Sequence, residues 1–121
     1  MRIAAADARF SVPVAKLGAL YLRSDLHRLA ATIGVGRCKK LIYSSTIVGA
    51  EQVLVIGLVD EVVSEEQFEA ALGAFVDIMV ERSSFTLQRS KQMLRAAGHG
   101  GGVRETGESL AAFAEAMQAG E

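Results

Sequence analysis

Three side chains in the first quarter of the sequence, Tyr21, Asp25 and His27, supply a phenol, a carboxylate and an imidazole within seven residues. A carboxylate or an imidazole can exchange a proton with a bound substrate, and a tyrosine hydroxyl can hydrogen-bond one. Each group also has an ordinary structural role: Tyr21 can pack half-buried, Asp25 suits the positive end of a helix dipole, and His27 can be an exposed surface residue. The three are therefore candidates for catalysis or binding, with a structural alternative open for each.

Other reactive groups have simpler explanations. Arg37, Lys39 and Lys40 lie within about one helical turn, where they could meet a phosphate or form a solvated face. Cys38 is expected to pack in the core and not to act as a reactive thiol. The run HGGG at 99–102 is similar to the oxyanion loop of some esterases, but no G-x-S-x-G motif accompanies it, so we interpret it as a linker.

The composition limits the partners and the location of the protein. At 121 residues the chain forms one domain at most, half of its residues are hydrophobic, and its formal net charge is −1. This charge indicates neither a nucleic acid nor a membrane surface as partner, and the apolar runs are shorter than the roughly 20 residues that span a bilayer. One cysteine cannot pair within the chain, and no secretory signal is found, so we expect a reducing, cytoplasmic location.

The elements that must position these groups follow from glycines and apolar spacing. We predict strands near 2–5 and 58–63, a further extended piece at 9–14, and helices near 24–33, 37–44 and 50–56. Ser24 is expected to cap the first helix, and Gly34 with Gly36 to separate the first two. Gly57 is expected to end the third helix in a left-handed C-cap.

Three amphipathic helices are predicted in the second half, near 65–82, 85–97 and 108–119. Ser64 and Gln67 suggest a capping box for the first, and Thr106 or Ser109 begins the last. Two of the helices carry apolar stripes, formed by Phe68, Ala71, Leu72, Phe75, Val76 and Met79, and by Leu110, Phe113, Ala114 and Met117. A chain this small cannot bury both stripes internally, so we expect surplus apolar surface. The fold class is α+β, helix-dominant, with an α/β part at 1–63 and a helical part at 64–121.

A family resemblance rests on three pieces in order: A-R-F-x-x-P from Ala8, G-x-x-R-x-x-x-L from Gly34, and G-A-E-x-x-x-x-x-G-L-V-x-x-V-V from Gly49. Over roughly residues 2–97 the sequence resembles the enoyl-CoA hydratase/isomerase (crotonase) family, in the segment after the catalytic centre. The resemblance implies the C-terminal part of the ClpP/crotonase-like fold. Residues 1–63 would form the last part of the α/β core, and residues 64–121 a helical region that packs between subunits. The protein would then be a homotrimer or another homo-oligomer.

The resemblance also implies acyl-CoA thioester chemistry in fatty acid metabolism, by a lyase or an isomerase. One of the family's two catalytic glutamates falls at Val14, whereas Tyr21 is similar to a branch with a tyrosine in this loop. The other glutamate and the oxyanion-hole amides would precede Met1. We therefore expect the chain alone to be inactive, with a coenzyme A thioester as substrate if it is active, and no metal or resident cofactor. The alternative is a non-catalytic helical module for self-association.

Overall fold

The computed structural model describes residues 1–98 and 106–119, so the HGGG run at 99–102 lies outside the described residues. The strands are β1 (Ile3–Ala5), β2 (Arg9–Phe10), β3 (Val48–Gly49) and β4 (Glu61–Val63). The helices are α1 (Val14–Leu17), α2 (Arg23–Ile33), α3 (Val35–Ser44), α4 (Ala50–Val55), α5 (Phe68–Val80), α6 (Ser84–Gly98) and α7 (Gly107–Ala119), with a short 3₁₀ helix, Glu65–Gln67, before α5. The chain divides into two compact units, Met1–Phe75 and Val76–Glu121. The predicted helix-dominant α+β character is confirmed.

Strand pairing joins the two ends of the first unit's α/β part. β1 pairs with β4 in parallel, with Ala4 opposite Val62, and β2 pairs with β3 antiparallel. A reciprocal contact fixes the register at the start of β1: the N–H of Arg2 donates to the Asp60 carboxylate (2.7 Å), and the N–H of Asp60 donates to the Arg2 carbonyl (2.8 Å). A parallel pair requires a long crossover, and here the four helices α1 to α4 all lie within it.

Two apolar clusters form the core of the first unit. The buried members are Ala4, Val53 and Val59 in one cluster, and Ile33, Cys38 and Leu41 in the other. Val48 and Leu58 are partly buried and contact both clusters, which joins them into one core. The predicted core position of Cys38 is confirmed, because this free cysteine is buried on α3.

Glycines with positive φ, a conformation that would strain a side chain, follow the ends of α2 and α4. Gly57, with φ +79°, follows α4; its N–H donates to the Leu54 carbonyl (3.1 Å), and that of Leu58 donates to Val53 (2.9 Å). These are the two bonds of a Schellman motif, so the predicted C-cap is confirmed. Gly34, with φ +86°, is the single residue between α2 and α3.

Several predicted boundaries were wrong for local reasons. α3 begins before Gly36, because the positive φ of Gly34 alone turns the chain. Ser24 lies inside α2, whose N-cap is Leu22 without a side-chain hydrogen bond. The extended piece at 9–14 ends early, since Pro13 is the N-cap of α1 and Val14 is its first residue.

The strand predicted at 58–63 and the helix predicted at 65–82 are also shorter than expected. Only Glu61–Val63 forms a strand, because the residues just after Gly57 complete the end of α4. The predicted capping box does not form: Ser64 makes no side-chain cap bond, and the helix opens with the 3₁₀ helix instead.

The second unit is organised by α6 and α7. A reciprocal box opens α7: the N–H of Ser109 donates to the Thr106 hydroxyl (3.1 Å), and the N–H of Thr106 donates to the Ser109 hydroxyl (2.9 Å). Of the two starts predicted for this helix, Thr106 and Ser109, the structure confirms Thr106, because α7 begins at Gly107. Arg89 on α6 lies 5.7 Å from the ring centre of Phe85 and 3.6 Å from the Glu108 carboxylate on α7. No helix in the described ranges is long and apolar enough to span a bilayer.

Ser45, at the C-terminal end of α3, combines burial with an unusual backbone conformation. Its φ is +48°, and it is the one described residue other than glycine with a positive φ. The side chain is only 2% exposed. Its hydroxyl lies 3.0 Å from the Ile42 carbonyl and 3.3 Å from the Val12 carbonyl, so it links the end of α3 to the chain before α1.

The two roles of Ser45 predict an ordering of variants. Ser45→Ala loses the hydroxyl and keeps the backbone strain, so it should lower the free energy of unfolding by about 1 kcal/mol. Ser45→Gly also loses the hydroxyl, but glycine adopts positive φ without strain, so this variant should be the more stable of the two by roughly 1 kcal/mol. Urea unfolding followed by circular dichroism measures both.

Ser11→Ala is the matched control, because Ser11 is exposed and its hydroxyl has no partner in the described residues. It should leave the urea midpoint unchanged. An alanine variant at Ser45 as stable as the glycine variant would show that the positive φ carries no strain.

Candidate functional site

A groove in the first unit brings together the groups from the first quarter of the chain. It runs between α1, the segment at 18–22, α2 and α3, and its volume is about 520 Å³. Its walls are two facing helix stripes. In each helix these residues follow i, i+3, i+4 and i+7 spacing. They are Arg23, Leu26, His27 and Ala30 in α2, and Val35, Cys38, Lys39 and Ile42 in α3.

The opening of the groove depends on how α1 ends. Gly18 adopts the left-handed conformation (φ +63°), and its N–H donates to the Val14 carbonyl. The chain leaves α1 at this point and enters α2 after Leu22, the N-cap residue, whose backbone is extended (ψ 147°). This turn places Tyr21 at the groove, while Val14 is buried in the wall beneath it.

The chemistry of the groove is apolar with a cationic edge. Arg23, His27 and Lys39 are the basic residues that line it, and all three are solvent-exposed. Tyr21 and Tyr43 add two hydroxyls, and no carboxylate is among the lining residues. A ligand with an aliphatic body and an anionic end matches this combination, since the body is removed from water and the charge meets cations.

The three candidates from the sequence are only partly brought together. Tyr21 and His27 both line the groove, whereas Asp25 lies in the first turn of α2 outside it. No hydrogen bond joins any two of the three side chains in the described part of the chain. The arrangement therefore supplies binding groups, but no proton-transfer pair held at hydrogen-bond distance.

Sequence reasoning missed Arg23 and Tyr43 and grouped Lys39 with the wrong neighbours. Lys39 faces the groove, whereas Arg37 and Lys40 point to the opposite side of α3. The signal was available in the spacing: at about 100° per residue, Lys39 shares its face with Val35 and Ile42. The described residues contain no group of three acidic, histidine or cysteine side chains that could hold a metal ion.

Comparison with known proteins gives a consistent result. The family model described as enoyl-CoA hydratase/isomerase matches residues 1–118. The short-chain-enoyl-CoA hydratase of Clostridium acetobutylicum is 30% identical over 94 residues, covering 78% of this chain and 36% of that protein. The crotonyl-CoA hydratase of Syntrophomonas wolfei is 29% identical over 90 residues, covering 74% of this chain and 35% of that protein.

Solved structures agree with the sequence comparisons. An enoyl-CoA hydratase/isomerase family protein of Hyphomonas neptunium is 27% identical and superposes with a TM-score of 0.88, covering 98% of this chain and 45% of that one. The chain therefore spans about a third of the length of the two hydratases and less than half of the solved structure.

Proposed function

Because the chain belongs to the enoyl-CoA hydratase/isomerase family, we propose that it serves acyl-CoA thioester chemistry and that the groove between α2 and α3 takes the acyl group. The observation that carries this proposal is the pairing of an apolar groove with a cationic edge. Each methylene buried in such a groove contributes about 0.8 kcal/mol. The charges of Arg23 and Lys39 favour the phosphate-bearing end of the same ligand, and the His27 ring can donate a hydrogen bond to it.

The groove by itself lacks the groups that hydration requires. Adding water across the double bond of an enoyl thioester needs carboxylates to move the water and its proton. At the position that the resemblance assigns to one of them stands Val14, which is buried and apolar. We therefore propose that the chain alone binds an acyl thioester without turning it over.

We also propose a reducing, cytoplasmic location, because the one cysteine, Cys38, is a free and buried thiol.

Self-association is the second candidate function, and the exposed apolar face of α7 favours it. Leu110, Phe113 and Met117 lie at i, i+3 and i+7 and are 56%, 67% and 62% exposed. Three large apolar side chains on one face of a helix are a common sign of a protein contact. We propose that this face packs against other copies of the chain, as a homotrimer or another homo-oligomer.

Acyl binding can be followed without a label, because the two tyrosines both line the groove and the chain has no tryptophan. Titration with octanoyl-N-acetylcysteamine, a thioester without an aromatic group, should change tyrosine emission in a saturable way. The butanoyl analogue should bind more weakly by about fourfold per methylene removed. Ala30→Phe should weaken octanoyl binding at least tenfold, because the new ring fills the groove.

Ala70→Phe is the matched control, since Ala70 is exposed on α5 and does not line the groove. It should bind like the unmodified chain. Emission that stays constant at millimolar ligand, or an equal loss in both variants, would contradict acyl binding in this groove.

Catalysis is tested by restoring the carboxylate. Val14→Glu should leave enoyl thioester hydration at the buffer rate, because hydration needs carboxylates to move the water and its proton, and the residues that line the groove offer no second carboxylate to act with the new one. Loss of the conjugated enoyl absorbance, with crotonyl-CoA and a longer substrate, measures the rate. Circular dichroism shows whether the variant keeps its helices.

The unmodified chain is the reference for this assay. Turnover well above the buffer rate that disappears in Tyr21→Phe or Asp25→Asn would make residues 14–27 a self-sufficient active site and would refute the proposal.

Self-association is tested on α7. Phe113→Asp should dissociate or precipitate the assembly, because an unpaired charge in an apolar contact is costly to desolvate. Gln118→Asp adds the same charge at an exposed position of the same helix and should leave the assembly unchanged. Sedimentation at micromolar concentration gives the mass; a single species of 12.8 kDa for the unmodified chain would rule out the contact.

A further inference from the structure

A second cavity lies on the opposite side of α3 from the groove. We call it the α3–α4 cleft; its volume is about 290 Å³. Its polar lining consists of Arg37, Lys40 and Ser44 of α3, Thr46 of the following loop and Gln52 of α4. At about 100° per residue, Arg37 and Ser44 lie roughly opposite Val35, so α3 separates the two cavities.

The two cations of the cleft are not neutralised by the protein. Neither Arg37 nor Lys40 forms an ion pair or a side-chain hydrogen bond in the described ranges. No aspartate or glutamate is among the residues that line the cleft. The two side chains stand three residues apart on one helix face, close enough for one anion to meet both.

Neutral donors converge on the same cleft. The hydroxyls of Ser44 and Thr46 lie 3.0 Å apart, so a single hydrogen occupies the space between them and the other hydroxyl hydrogen is left to donate outward. The Gln52 carbonyl oxygen accepts from the N–H of Gly49 (3.0 Å). Because the side-chain oxygen of Gln52 is used in this contact, its NH₂ group remains available to donate to a ligand.

We propose that the α3–α4 cleft binds a phosphomonoester of a small organic molecule. The planar fork of Arg37 suits two phosphate oxygens, and Lys40 supplies a second charge for the dianion. Small-molecule pockets typically have volumes of about 300–1,000 Å³, so the cleft, at about 290 Å³, suits a small ligand. Leu41, Val48 and Ile56 line the rest of it and offer an apolar surface to the carbon part of the ligand. This site goes beyond the proposed acyl function, because it lies on the other face of α3.

Phenyl phosphate is the probe that tests the site. In a titration followed by ¹H–¹⁵N NMR, the Thr46 amide and the Arg37 Nε–H should shift together. Arg37→Gln and Lys40→Gln should each weaken binding about tenfold or more, since each removes a charge-assisted contact. Arg37→Lys keeps the charge and loses the fork, so it should fall between Arg37→Gln and the unmodified chain.

Arg28→Gln is the matched control: it removes one exposed charge from α2, at a residue that lines neither the groove nor the cleft, and should leave phenyl phosphate binding unchanged. An equal loss of binding in Arg28→Gln would show that the effect is general electrostatic attraction and would overturn the site. The absence of any shift at millimolar phenyl phosphate would do the same.

Coenzyme A, which carries a phosphomonoester of its own, distinguishes two sources of this ligand. Displacement of phenyl phosphate from the unmodified chain by coenzyme A, but not by dephospho-coenzyme A, which lacks the phosphomonoester, assigns the cleft to that phosphate. Binding of phenyl phosphate without such displacement assigns it to a free phosphorylated metabolite. Both outcomes require Arg37 and Lys40, so phosphate binding that is independent of these two residues overturns the proposal in either arm.

Discussion

The packing of α2 against α3 is the contact on which the rest of the first unit depends. Ile33 ends α2, Cys38 and Leu41 follow on α3, and these three side chains form one of the two buried clusters. Gly34 makes the packing possible, because its positive φ lets α3 start with only this one residue between the two helices. With α3 held there, one of its faces lines the apolar groove and the opposite face lines the α3–α4 cleft. Both proposed binding sites therefore rest on the same core.

Features set by local chemistry could be predicted from the sequence. Gly57 ends α4 as expected, because the two bonds of its motif involve only the preceding turn. The family was found from three short patterns, and the match over residues 1–118 confirms it, as the solved relative confirms the fold. The buried position of Cys38 was expected because the family pattern has a small residue at this helix position, and a free cysteine there packs as a small apolar side chain. These features need no knowledge of distant parts of the chain.

Features set by tertiary contacts could not be predicted in the same way. Ser45 has the backbone conformation of a glycine, and its hydroxyl contacts Val12, 33 residues earlier. Nothing near Ser45 in the sequence indicates that contact. The division of the basic residues between two faces of α3 could not be predicted for the same reason. A run of charges indicates an exposed helix surface, but the cavity beside Lys39 is formed with residues of α2, and the cavity beside Lys40 with residues of α4. Asp25 was grouped with Tyr21 and His27 by proximity along the chain, but the helix turns it away from the groove.

The central claim is that the acyl group of a thioester lies between α2 and α3. Photolabelling locates the ligand directly: an acyl thioester with a diazirine at the end of its chain is irradiated on the intact protein, and the labelled residues are identified by mass spectrometry. The account predicts labels within residues 14–43, suppressed by excess octanoyl thioester. Two results would contradict it. One is labelling concentrated on the residues of α6 and α7 that line the cavity between these helices. The other is labelling that excess octanoyl thioester does not suppress.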